Sequence, residues 1–286
     1  MKFNLRRLLP AAVLLLCAVA PVGAQGVEEA TANKLPWSGW WWPAKTGGLV
    51  LGYRGEPGAL VKHDQVSGKS ASQWEQGTYY HFNPAGADWW GHCHAWAAAS
   101  LTEQEPIKDV FYGGQAFHVG ELKGLLTEAH YSDQAQFFGK RYNGNPGDDL
   151  QDMSPLLVWY VLRQFVAQNK TGIVFDMNPG PQVWSYPAYK YRLSYQPAGG
   201  NNFNAQLSIW VANFQVYPDF IGSLPEQNDY TFSFQAQGSQ LVYGSDHWTG
   251  ASVQEHPDFA WYPTQRRQDN PQVDFNLVNQ LNLQAH

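Results

Sequence analysis

Val183 to Tyr195 reads VWSYPAYKYRLSY, and in its second half Tyr189, Tyr191, Leu193 and Tyr195 alternate with Lys190, Arg192 and Ser194. A period of two puts one set of side chains on each face of a pleated strand, so this is a strand with one face covered and one wet. Downstream the same alternation returns. Phe203, Ala205, Leu207, Ile209 and Val211 interleave with Asn204, Gln206 and Ser208; Tyr230, Phe232, Phe234 and Ala236 give a third strand, and Leu241 to Tyr243 begins a fourth. Ile173 to Phe175 is a short apolar run ending at Asp176. One-sided strands in succession predict an antiparallel sheet.

Upstream the period is helical. Pro155 to Asn169 carries Leu156, Val158, Trp159, Leu162, Phe165 and Val166, with Ser154 as N-cap and Pro155 as first helical residue. Val119 to Ala129 places Leu122, Leu125, Leu126 and Ala129 at three- and four-residue spacing. Cys93 through Leu101 is rich in alanine and ends before Pro106. Helices followed by an antiparallel sheet predict an α+β domain over residues 35–286, with no repeat or linker dividing it.

Leu35 to Pro43 reads LPWSGWWWP, with four tryptophans in six positions between two prolines. The prolines exclude a helix interior. The segment is either a wall of a cleft, suited to stacking on sugar rings, or a hydrophobic clasp on the core. Residues 44–88 carry Gly and Pro throughout and predict loops and short strands. Gln25 to Lys34 is polar and aperiodic, and is expected to be a disordered lead-in.

Residues 1–24 read as a secretory signal peptide: Lys2, Arg6 and Arg7, an apolar run from Leu8 to Ala20, and the small residues Val22-Gly23-Ala24. The run is too short to span a bilayer. Leu16 before Cys17 argues against a lipoprotein site. The expected location is therefore extracellular or periplasmic.

The 286-residue chain has 18 Lys and Arg against 24 Asp and Glu; three cations and no acid lie in the leader, so the remainder carries about −9. No basic block is present, which excludes a nucleic-acid partner. With 44% hydrophobic residues and 13 Trp, disorder is excluded too. Once the leader is removed, Cys93 is alone. It cannot pair within the chain, and a lone thiol in an oxidising compartment is either buried and inert or functional.

Trp89 to Ser100 reads WWGHCHAWAAAS. It puts Cys93 just after Gly91, in the first turn of a helix, where free N–H groups and the positive helix end lower a thiol pKa and can hold an oxyanion. This favours a nucleophile. A metal site at His92-Cys93-His94 is not expected, because adjacent side chains diverge and zinc ligands come at wider spacing. For the same reason the base should come from an opposing element. His256, with Asp258 close by in EHPDFAW, and His247 are the downstream candidates; His130 and His118 lie in the helical part, and Asp176 is a rival orienting carboxylate. The residues leave the choice open.

PWSGWWWP, WWGHCHAWAAAS, ELKGLL (Glu121 to Leu126), FGKRYNG (Phe138 to Gly144), VWSYP (Val183 to Pro187) and WTGASVQEHPDFAWYP (Trp248 to Pro263) together resemble the transglutaminase elicitor family of oomycetes and their bacterial relatives. The resemblance implies a papain-like cysteine-enzyme architecture and protein-glutamine γ-glutamyltransferase activity, with Cys93 as nucleophile; His256 and Asp258 fall in a matching motif. Its partners would be proteins bearing glutamine and lysine. The thiol chemistry requires no cofactor, although the resemblance implies calcium, for which the acidic turn Asp148, Asp149 and Asp152 is the candidate. The elicitor segment is not carried over, since Ser185 and Tyr186 occupy its variable positions. A papain-like peptidase or a glutamine deamidase would use the same thiol. From a different class, the aromatic content suits a secreted carbohydrate-binding or adhesion module.

Overall fold

A computed structural model describes residues 25–140 and 152–286. In chain order the elements are β1 (Gly26–Thr31), α1 (Gly48–Leu51), α2 (Ala59–Ser67), α3 (Ala71–Gln76), α4 (Cys93–Thr102), β2 (Val110–Tyr112), β3 (Gln115–Phe117) and α5 (Val119–Ala129). Then come β4 (Gln134–Gly139), α6 (Pro155–Leu162), β5 (Ile173–Asp176), β6 (Ser185–Pro197), β7 (Asn202–Ala212), β8 (Pro225–Gln237), β9 (Gln240–Trp248), β10 (Phe259–Gln265) and α7 (Phe275–Gln284). The leader and its Cys17 lie outside the described residues, as do Asp148 and Asp149.

Eight strands form one antiparallel sheet in the order β4-β10-β5-β6-β7-β8-β9, with β1 also pairing β6. Strand β6 is the hinge of this arrangement. On one edge its first residues pair β5 and Lys190 to Tyr195 pair β1, while the other edge runs along β7. A short hairpin, β2 with β3, stands apart. The expected mixture of helices and antiparallel sheet is present, but β4, which precedes the strand run in the chain, and β10, which follows it, both extend the sheet beyond β5.

Two expectations are corrected. Gly26–Thr31 is a strand, not a disordered lead-in. Its alternation was hidden because both faces are polar, but Glu28 reaches inward to the Tyr191 hydroxyl, Arg163 and Trp159, and Glu29 pairs with Lys190 at 2.8 Å. Residues 44–88 form three short helices rather than strands. Their glycines are caps more than breaks: Gly52 (φ +80°) closes α1 and Gly68 (φ +70°) closes α2, in the left-handed half of backbone space where other residues are strained.

The core has two apolar clusters. One joins α4, α5, α7 and the tryptophan string; the other packs α6 against the sheet through residues such as Leu193, Leu207 and Phe232. Helix α6 starts as expected, with Ser154 capping the Leu157 N–H, and then continues as a π-helical turn over Arg163–Gln168. In the string, Trp37, Trp41 and Trp42 are buried, and Trp37 meets Trp96 of α4 edge-on at 6.3 Å. The string is therefore a clasp on the core. Among the described residues no helix is long and apolar enough to cross a membrane.

Candidate functional site

Helix α4 buries eight of its ten residues, so it runs through the interior rather than along the surface. It packs on α5 and against β5 and β6. Its start is held by the clasp: the His92 N–H donates to the Trp41 carbonyl at 2.9 Å, the Ala44 N–H to the Trp90 carbonyl at 2.8 Å, and Pro43 bridges Gly91. Cys93, the first helical residue, opens on a cavity of about 510 Å³. Trp89 and Trp90 wall it on one side, Phe259 and Trp261 of β10 on another, and Val183 and Ser185 at the start of β6 on a third.

The thiol donates weakly to the Val183 carbonyl at 3.7 Å. Burial pushes its pKa up, against the lowering expected from a helix start; hydrogen bonds from Ser185 and from the His94 N–H pull the other way, and the Asp176 carboxylate adds to the rise. Desolvation wins because the sulfur is nearly covered. The resting group is a thiol, and it needs a base.

Two imidazoles line this cavity, His94 and His130. His130 has both ring nitrogens on carboxylates, Nδ1 on Asp133 at 2.6 Å and Nε2 on Glu103 at 3.0 Å; burial alone would lower its pKa, but these acids raise it. His94 donates from Nε2 to the Tyr131 carbonyl at 2.9 Å, and burial pushes its pKa down to about 4. It is thus a neutral ring with Nδ1 free of a protein partner among the described hydrogen bonds.

His256 does not line the cavity. It stacks on Trp248, and its ring bonds the Ser252 carbonyl at 2.8 Å and Asp152 at 3.0 Å. Asp258, two residues on, is buried, its N–H on the Asp176 carbonyl at 3.1 Å. Of the sequence candidates the structure brings His130 to the Cys93 cavity and Asp176 into the electrostatic field of the thiol, but not His256. His247 sits on β9 against Ser233, and His118 caps α5 beside Asp109. Ser185 was not a candidate, yet it lies within the VWSYP motif. Asp152, the described member of the acidic turn proposed for calcium, pairs with His256 at 3.0 Å, and the turn's other two carboxylates lie outside the described residues.

Behind the cavity lies a second polar group. Glu75 at the end of α3, His81 in the following turn, His92 at the start of α4 and Glu128 on α5 are all buried, with donor atoms within 4.8 Å of one another. Tyr131 divides the two sites, lining the cavity and packing on the rings of His81 and His92. The sequence reading set His92 aside because its chain neighbours cannot share a ligand with it; its partners come from three other elements.

Residues 83–208 match the family model described as transglutaminase elicitor. No curated protein matches the chain. Among solved structures it is similar to the GP42 transglutaminase from Phytophthora sojae, with a TM-score of 0.71 over 90% of this chain and 91% of that one. The two share 17% sequence identity, so the likeness is one of fold. The segment from residue 83 to residue 208, which carries Cys93 and Ser185, belongs to the transglutaminase elicitor family.

Proposed function

We propose that this chain is a secreted protein-glutamine γ-glutamyltransferase that works through a thioester on Cys93, in an arrangement like that of papain-like enzymes. The observation that carries this reading is a single mature thiol at the first residue of a buried helix, opening on an aromatic-walled cavity that also holds a neutral imidazole. Buried tryptophans favour the enzyme over a sugar-binding module, whose platforms must face solvent.

In this mechanism the base is His94, on the nucleophile's own helix and not on the opposing element expected from the sequence: the two adjacent side chains share one cavity, and Nδ1, a weak base, takes the thiol proton through one water. The Cys93 sulfur attacks the γ-carbon of a glutamine carboxamide; ammonia leaves with the proton returned by His94, and a thioester remains. A lysine amine then attacks, gives its proton to His94 and displaces the sulfur. Water in place of the amine gives glutamate. The backbone N–H groups of Ser185 and His94 close to the sulfur favour the thiolate at both stages. Trp89, Trp90 and Trp261 exclude bulk water, which favours the amine.

The test is incorporation of a fluorescent primary amine into a glutamine-bearing protein, with Cys93→Ala as control. Covalent labelling that disappears in the variant supports the reading. Peptide cleavage without labelling would favour a peptidase, and labelling retained by Cys93→Ala would remove the nucleophile. For the base, His94→Gln should lower kcat far more than it changes KM.

A further inference from the structure

We propose that Glu75, His81, His92 and Glu128 form a site for a divalent transition metal of the zinc class, which fixes the start of the helix that carries Cys93. The inference stands on these four side chains and is independent of the transferase reading.

The tautomers lead to it. His92 Nδ1 lies 2.9 Å from the Trp42 carbonyl, which can only accept, so Nδ1 carries a proton. In the neutral ring Nε2 then presents a lone pair, and that lone pair faces two carboxylate oxygens, Glu75 Oε1 and Glu128 Oε1, each at 3.2 Å. His81 repeats the pattern. Its Nε2 meets Asp269 Oδ2 at 3.2 Å, which leaves Nδ1 facing Glu75 Oε2 at 2.9 Å and His92 Nε2 at 3.4 Å. Protonating both rings would aim two N–H groups at each other across that 3.4 Å. Glu128 is fully buried, and its nearest polar neighbours are the same two ring nitrogens, His92 Nε2 at 3.2 Å from Oε1 and His81 Nδ1 at 3.9 Å from Oε2. A proton on His92 alone would satisfy its contacts with Glu75 and Glu128, which against the effect of burial raise its pKa to about 10, but would leave the His81 Nδ1 lone pair facing Glu75; a cation at the centre meets all of them at once.

The spacing fits one. Nitrogen and oxygen donors at about 2.0–2.1 Å around a tetrahedral zinc ion stand roughly 3.3 Å apart. Here the closest donor separations are 2.9, 3.2 and 3.4 Å, with each carboxylate turning one oxygen to each ring, and one atom from each of the four residues lies within 4.8 Å of the others, so the widest pair closes as the ion binds. Two carboxylates cancel the charge of a divalent ion, and each histidine gives its far N–H to a carbonyl or carboxylate, as metal-bound histidines do. Two imidazoles do not suit calcium or magnesium. Four protein ligands leave no open position, so the ion would be structural.

The test uses the full chain purified without chelators, or any affinity tag removed. Elemental analysis should find about one equivalent of zinc or another first-row metal. Stripping with a chelator should lower Tm and zinc should restore it, and cobalt(II) on the stripped chain should develop the strong visible bands of a four-coordinate ion. Glu128→Gln should lose those bands. Asp269→Asn keeps all four ligands and should weaken metal binding about 10–100-fold. The proposal is overturned if the folded chain carries only substoichiometric metal, unfolds identically with zinc and with chelator, and gives no cobalt bands. It is equally overturned if Glu128→Gln folds and binds cobalt as the unsubstituted chain does. Should that variant fail to fold, the cobalt titration of the unsubstituted chain decides.

Discussion

Tyr131 lies stacked on His81, ring centroids 3.8 Å apart, so one aromatic ring forms both a wall of the Cys93 cavity and the cover of the buried histidine–carboxylate cluster. The two polar sites are neighbours separated by one side chain. Removing that ring would let water reach charges now held away from it.

Tyr131→Ala should therefore cost about 3–5 kcal/mol, as loss of a large packed ring does. Tyr131→Phe keeps the stack and should stay within about 1 kcal/mol. Urea unfolding of the two variants checks this. Equal losses would mean that the hydroxyl, not the ring, matters.

Gly39 is pressed against the helix that carries Cys93: a Cβ there would sit 2.1 Å from Trp96 Nε1 and 2.5 Å from Trp96 Cδ1. Trp96 is fully buried and cannot swing away. Gly39→Ala should destabilise by about 1–3 kcal/mol through overpacking. Because the displaced residue is three along from Cys93, amine incorporation should fall beyond what the loss of folded protein explains. A variant with unchanged Tm would show that the clasp can shift freely.

How far the sequence carries depends on the range of the interactions concerned. Val119 to Ala129 was legible to the residue, and β6 to β9 were legible as strands, because periodic burial is written in neighbouring positions. The place of Cys93 at the first residue of a helix was legible from a local context of turn, glycine and alanine-rich sequence. Its surroundings were not. His256 looked suitable beside Asp258, but its ring is taken by Asp152, 104 residues away, and by Trp248. The cluster of Glu75, His81, His92 and Glu128 draws on three helices and a turn, and no spacing rule finds it. The rise in the thiol pKa was missed for a related reason, since helix polarity is visible in sequence and burial is not.

Asp219 makes a testable pH switch in stability. Burial alone would raise its carboxyl, but the Tyr53 hydroxyl at 2.6 Å, the Gly120 N–H at 2.9 Å and Arg54 at 2.6 Å outweigh it and hold it below the usual range. A lowered folded pKa means that this stabilisation is complete above the ordinary aspartate value and is lost as pH falls through the folded one. Asp219→Asn should be about 1–3 kcal/mol less stable at pH 7. The gap between the two proteins should be full above the ordinary aspartate range and close as the pH falls below it. Urea melts above and below that range measure it, and a gap independent of pH would contradict the assignment.

Glu28 anchors the first strand to the sheet. Its carboxylate accepts from the Tyr191 hydroxyl, from Arg163 at 3.2 Å and from Trp159 Nε1 at 3.4 Å, and Tyr191 is fully buried. Glu28→Ala leaves that hydroxyl without its acceptor, a loss of about 1–3 kcal/mol. Glu28→Gln keeps an acceptor and should lose less. Because β1 is a short strand held on one side only, the cost should appear as local opening before global unfolding. Limited proteolysis should therefore cut the alanine variant near residues 26–31 well before the rest of the chain, while Tm moves little. Cleavage there at the rate of the unsubstituted chain would mean that the ladder to β6, and not the Glu28 carboxylate, holds the strand in place.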